Sequence, residues 1–154
     1  MIARISTTFP GDVELLWGEI SKIESLLHVC APILKFKTAN GSQSPKEWDI
    51  DSPYHFRLSL FGLIPLGEHI ITLRTINRAD NLIISQERGS LAPVWNHTIS
   101  FSTKSPGSMT YADEIEIRAG ILTPFIWAFA HVFYRHRQRR WKKLLRHKLR
   151  SEKL

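Results

Sequence analysis

Two side chains in this 154-residue chain combine reactive chemistry with a spacing that can bring them together: His97 and Asp113. A carboxylate that accepts a hydrogen bond from one imidazole nitrogen fixes the tautomer, and the other nitrogen is left to take a proton or hold a polar group. Both residues sit in runs of alternating character, 94–103 and 109–119, which read as two strands of a hairpin. If Lys104 faces Ser108 across a three-residue loop, Ile115 stands opposite His97, Asp113 opposite Ile99 and Tyr111 opposite Phe101. His97 and Asp113 then lie on a diagonal of one face, about 7–8 Å apart at the backbone, where side chains still meet. The same face carries Trp95, Phe101 and Tyr111, while Asn96, Thr98, Glu114 and Glu116 fall on the other, so the odd-numbered face is the inner one. A one-residue slip would put the pair on opposite faces. Three roles fit it: an anchor for a ligand carbonyl or hydroxyl, a base and its orienter, or a pair that only satisfies two buried polar groups.

Other chemistry is sparse. Gln86 is a candidate second anchor, its facing left open by Gly89, which can bulge the strand. Trp95 reads as core or wall. His28, His55, His69, His97 and His131 lie on separate elements without the close pairing of a zinc helix, and one cysteine leaves no Cys-rich site, so no metal is expected. Cys30, flanked by Val29 and Ala31, reads as a small buried hydrophobe. No phosphate loop, nucleophile elbow or dinucleotide fingerprint is present, and no cofactor is called for.

The elements that must position the pair follow from hydrophobic period. Residues 3–9 read as a strand. Pro10-Gly11-Asp12 leads into a helix capped by Asp12, with Val13, Leu16, Trp17 and Ile20 on one face. A second short helix carries Ile23, Leu26 and Leu27 and stops before Pro32. Strands are expected at 33–38, 54–61, 69–78, 82–88, 94–103 and 109–119, with a turn at Asn40-Gly41-Ser42. The short connections make neighbours antiparallel. Thr123 can cap a final helix with Pro124 in its first turn, running to about residue 149 and apolar almost all round in its first half. The predicted class is α+β, one domain over 1–154, with a seven-stranded antiparallel sheet, two short helices after the first strand and a long C-terminal helix.

Charge is uneven. Residues 135–154 hold ten of the 21 Lys and Arg but one of the 14 acids, leaving 11 basic and 13 acidic residues elsewhere. The net +7 is therefore a basic tail on a near-neutral body. Arg135, Arg137, Arg139, Arg140, Lys142 and Lys143 could meet an anionic membrane surface, with Trp141, Leu144, Leu145 and Leu149 dipping into the interface, or could simply be solvated. The body has no basic-aromatic stripe, which argues against nucleic acid as partner. The N-terminal segment lacks the pattern of a secretory signal, and the longest apolar run, 121–134, is short of a bilayer span. The expected location is cytoplasmic, with a peripheral membrane position as the alternative.

Element order and motif together resemble the START-like (SRPBCC) helix-grip superfamily. The residues are Gln86-Glu87-Arg88-Gly89, Trp95-Asn96-His97, Phe101, Thr110 and Asp113-Glu114-Ile115. A similar run marks a ligand-binding branch akin to polyketide cyclases and dehydratases. That branch often carries an acid two residues before the Gln and a second His two after the first; here those positions are Ile84 and Ile99, which makes the pocket more apolar. The resemblance implies a curved sheet wrapped around the C-terminal helix and a cavity between them for a lipid-like, aromatic or polyketide-like molecule. The expected lining is Gln86, Trp95, His97, Phe101, Tyr111 and Asp113 from the sheet with Phe125 and Phe129 from the helix. The apolar connection 60–67 would be a lid through Phe61, Leu63 and Ile64, hinged at Gly62 and Gly67, or a loop packed on the core. Binding without catalysis is expected. The alternatives are a cyclase or dehydratase using His97 and Asp113, and a peripheral lipid carrier using the basic helix end.

Overall fold

The structure is a computed structural model that describes residues 1–39 and 46–152. The turn expected at Asn40-Gly41-Ser42 lies outside the described residues. Seven strands, β1 (Ile2–Pro10), β2 (Leu34–Thr38), β3 (Pro53–Leu60), β4 (Ile64–Asn77), β5 (Leu82–Gly89), β6 (Val94–Ser105) and β7 (Ser108–Arg118), form one antiparallel sheet in the order β1-β7-β6-β5-β4-β3-β2. Helices α1 (Val13–Ile20) and α2 (Ile23–Cys30) follow β1, and α3 (Thr123–Ser151) closes the chain. Its 29 residues span about 44 Å at 1.5 Å each.

Local chemistry explains the elements. Asp12 caps α1, its Oδ1 accepting from the Leu15 N–H at 2.9 Å. Thr123 does not cap α3. Its hydroxyl instead accepts from Ala119 N and donates to the Gly120 carbonyl, closing the one-turn 3₁₀ helix Gly120–Leu122. The β6–β7 hairpin has the expected register, Ile99 opposite Asp113 and His97 opposite Ile115. The turn is tighter than expected: Ser105 pairs with Ser108, Gly107 takes φ +70°, and an irregularity between Thr103 and Ser105 absorbs the extra residue.

The connection 60–67 is a hairpin rather than a lid. Leu60 pairs with Ile64 and Leu58 with Gly67, so β4 begins five residues earlier than the alternation from His69 indicates. Phe61 and Gly62 have positive φ at the turn, and a bulge between Leu58 and Ser59 faces Gly67 at φ +90°. Phe61, Leu63 and Ile64 all point to solvent, Leu63 at 84% exposure.

The core lies between the inner sheet face and the helices. Phe9 stacks on Tyr111 at 4.4 Å, and Trp17 meets Phe101 edge-on at 5.0 Å. Helix α3 contacts β1, β7 and α2 and buries one stripe: Ala130, Phe133, Tyr134, Arg137, Gln138, Trp141 and Leu145. Its first half is not enclosed all round. Phe125 is 74% exposed, with Ala128 and Val132 on the same outer line. Leu145→Ala should therefore lower the unfolding free energy by about 2–5 kcal/mol. Leu63→Ala should change it by less than about 0.5 kcal/mol. Denaturant titration of both variants checks the pair.

Candidate functional site

His97 and Asp113 meet across the diagonal that register allows, Nε2 to Oδ1 at 2.8 Å. Both are buried. The Asp113 carboxylate also accepts from the Tyr111 hydroxyl at 3.0 Å and from Gln138 Nε2 at 2.9 Å, and Arg137 Nη1 stands 3.5 Å away. Burial works to raise the Asp113 pKa. The Arg137 charge, the His97 hydrogen bond and charge, and the Gln138 hydrogen bond outweigh burial and hold the carboxyl below its usual range. An ionised Asp113 can only accept, so His97 Nε2 donates to it and Nδ1 is the edge left over.

That edge faces a second carboxylate. Glu87 Oε1 lies 3.9 Å from His97 Nδ1, too far for a hydrogen bond. Glu87 is held by His69 Nε2 at 2.8 Å and the Ser85 hydroxyl at 2.5 Å. Burial pushes its pKa up, but the His69 hydrogen bond and charge, the His97 charge and the Ser85 hydroxyl leave it lowered. Arg137 is only 4% exposed, stacks on Tyr134 at 5.4 Å, and has an Nε with no hydrogen-bond partner among the described residues. Burial acts to lower the pKa of this guanidinium, yet the groups around it, Tyr111 and Asp113 foremost, hold it above its ordinary value.

These groups stand at one end of a cavity of about 220 Å³ between α2, α3 and the sheet. Leu34, Leu58, Leu60 and Leu66 wall it from β2 to β4, and Ile126, Phe129 and Phe133 from α3. A smaller chamber of about 60 Å³ also touches Glu87, His97 and Arg137, so the charged cluster stands where the two chambers adjoin. Cys30 is part of the wall, and burial pushes its thiol up to about 12, which leaves it protonated and inert.

Of the residues expected to line the cavity, Trp95, His97 and Phe129 do. Phe101 and Tyr111 are core residues packed on Trp17 and Phe9, and Asp113 stands behind His97 rather than on the wall. Gln86 faces solvent, where its Oε1 accepts from Arg74 at 2.9 Å; the inward side of β5 belongs to Ile83, Ser85 and Glu87. Phe125 turns outward, because only one stripe of α3 faces the sheet. Phe61, Leu63 and Ile64 cover nothing.

The basic set also divides. Arg137 is inside, because it follows Phe133 and Tyr134 at helical spacing on the buried stripe. Arg140 donates to the His28 carbonyl at the end of α2 at 3.1 Å. His136 Nε2 meets the Ala31 carbonyl at 2.8 Å. Arg139, Lys142 and Lys143 line a shallow cationic groove with Arg146 and Arg150, and Arg135 is exposed. The residues not anticipated at the site are Glu87, His69, Tyr134 and Gln138. For Glu87 the available signal was the two-residue period from Ile83, once β5 is free of a bulge before Gly89.

Sheet order, gripped helix and interior cavity define a START-like helix-grip fold. Solved structures agree. A START superfamily protein from Mycobacterium smegmatis superposes with a TM-score of 0.70 at 13% identity, covering 95% of this chain and 97% of that one. A protein from Chromobacterium violaceum gives 0.73 at 11% identity over 94% and 96%, and one from Mesorhizobium loti 0.72 at 9% over 96% and 98%. The chain belongs to the family described as domain of unknown function DUF8410, whose model matches residues 7–146. No curated protein matches the sequence. Among the described residues, no helix is long and apolar enough to cross a membrane, and no group of three or more His, Cys, Asp or Glu could hold a metal ion.

The buried carboxylate has a consequence for acid stability. Its native pKa is below the unfolded value of about 3.9, so its contribution is complete above that value and is lost as pH falls through the native one. Asp113→Asn should cost about 3–5 kcal/mol at pH 7, as expected for breaking a buried pair. It should also flatten the fall in stability below pH 5. Urea titrations of both proteins between pH 7 and 2.5 measure the two effects.

Proposed function

We propose that the chain binds a compact, largely apolar small molecule in the cavity between α3 and the sheet. One observation carries this reading: an unfilled space of about 220 Å³, walled by leucine and aromatic side chains, that ends on buried charged groups. Protein interiors are otherwise close-packed, so apolar side chains facing unfilled space forgo the contacts that packing would give them. An occupant would recover part of those, and the few polar groups would orient it. The fold shared with a START superfamily protein supports the reading at the level of architecture.

Apolar ligands should raise the melting temperature of the purified protein, and native mass spectrometry should detect a co-purifying one. Leu60→Trp, which fills the cavity from β3, should abolish the shift while the protein stays folded. No shift across short-chain lipids and aromatics would remove the basis of the reading. The free Nδ1 of His97, with Nε2 held by Asp113, is also the arrangement of a general base. If a bound ligand is converted, and conversion but not binding is lost in His97→Gln, the protein is a cyclase or dehydratase instead.

The outer face of α3 favours a peripheral carrier as a second reading. Ile121, Phe125, Ala128 and Val132 are exposed at successive turns, and Arg135, Arg139, Lys143 and Arg146 continue the line. An apolar stripe running into a cationic one suits a helix lying on anionic lipid. Ile126 and Phe129, adjacent on the helix, line the cavity, so docking by this face would bring the cavity close to the bilayer. The protein should pellet with phosphatidylserine vesicles and not with phosphatidylcholine alone, and Phe125→Ser with Lys143→Glu should release it. Equal pelleting of native and variant protein would dispose of the idea.

A further inference from the structure

The charged end of the cavity makes a statement about the ligand that its apolar walls do not. This step rests on the small-molecule reading above. The Glu, His and Arg side chains on the cavity wall are Glu68, His69, Glu87, His97 and Arg137, and the last three border the smaller chamber as well. Arg137 is drawn toward Asp113, with Nη1 3.5 Å from Oδ1, and its unpartnered Nε is itself fully buried, so that N–H does not face an occupant. The Glu87 carboxylate is ionised and held by His69 and Ser85. Two carboxylates therefore flank one guanidinium around the imidazole. An open polar position is the His97 Nδ1 edge, with Nε2 on Asp113 and the nearest Glu87 oxygen 3.9 Å away.

A hydroxyl suits this end in both directions. It can donate to the Nδ1 edge or accept from it, and it brings no charge. A carboxylate can only accept. It would bring a third negative group among Glu87 and Asp113, a costly arrangement in a poorly solvated site. A pure hydrocarbon would leave the polar groups unanswered. Size narrows the class further. A dry cavity of about 150 Å³ accepts benzene, so about 220 Å³ suits one ring with a short substituent rather than a sterol or a two-chain lipid. We propose that the cavity selects a neutral, hydroxyl-bearing molecule of about one substituted ring, its hydroxyl on His97 Nδ1, and discriminates against carboxylates of the same shape.

Three matched probes test this by calorimetric titration at pH 7: 4-propylphenol, propylbenzene and 4-propylbenzoate. The phenol should bind about tenfold more tightly than propylbenzene, the gain expected of one hydrogen bond in a buried site. The benzoate should bind most weakly. In Glu87→Gln the penalty on the benzoate should shrink while propylbenzene affinity stays unchanged. In His97→Leu the advantage of the phenol should vanish and propylbenzene should still bind. A benzoate that binds as tightly as the phenol overturns the inference, because the guanidinium then sets the preference. A phenol no better than propylbenzene also overturns it, and leaves the apolar binding reading intact. If none of the three binds, that reading falls as well. The native protein's ranking of the probes decides the question even if His97→Leu does not fold.

Discussion

The buried carboxylate of Asp113 is the interaction on which the rest of the architecture depends. It is the meeting point of sheet and helix: His97 and Tyr111 reach it from β6 and β7, Gln138 and Arg137 from α3. Gln138 also donates to the Ile5 carbonyl of β1, so three strands and the helix are joined through two adjacent residues of α3. An ionised group with no side-chain exposure is tolerated only when its lone pairs are taken and a countercharge is near. Both conditions hold here, and both require α3 to cross the sheet at one rotation about its axis. The same rotation sends Phe125 and Val132 outward and brings Phe129 and Phe133 onto the cavity.

The cavity follows from that geometry. Helix α3 contacts β1, β7 and α2, while β2 to β4 supply the far wall through Leu34, Leu58, Leu60 and Leu66. Aromatic side chains fill the β1–β7 side, where Phe9, Tyr111, Trp17 and Phe101 interlock. On the other side Phe36 packs on Phe56 and Phe129 on Phe133, and the space between them stays open. The charged cluster sits at the boundary between the filled and unfilled halves, which is why it can be both structural, through Asp113, and available, through His97 and Glu87. Charge on the molecule divides in the same way. One arginine of the basic segment is a buried structural cation, one is tied to the end of α2, and the others remain outside as a surface feature.

Much of this is legible residue by residue in the sequence. The odd-numbered alternation of β6 and β7 placed His97 and Asp113 on one inner face, and the observed register agrees, although the turn reaches it through a tighter hairpin and an irregularity at Lys104. Parity holds at β5 as well. Gln86 was favoured through its motif, but the strand keeps its two-residue period to Glu87, and a potential bulge at Gly89 was the reason the facing stayed open. Arg137 was read by its company in a run of cations, whereas its spacing from Phe133, Tyr134 and Trp141 put it on the buried stripe. The apolar connection 60–67 reads from sequence as a lid hinged at Gly62 and Gly67 or a loop packed on the core; in the structure Gly62 lies in a hairpin turn and Gly67 faces a bulge.

Sequence by itself determined what short-range physics controls: the seven strands, the three helices, the antiparallel order of neighbours and the shared face of His97 and Asp113. Side-chain period, turn residues and caps act over a few positions and carry that information directly. Tertiary structure alone decided the rotation of α3, the burial of Arg137, the inward placement of Glu87 and the unfilled volume beside them. Those depend on which groups more than a hundred residues apart meet, as the Gln138 amide and the Ile5 carbonyl do. A period along one strand or helix does not encode that outcome, because it is settled by packing and by the need to pair every buried charge.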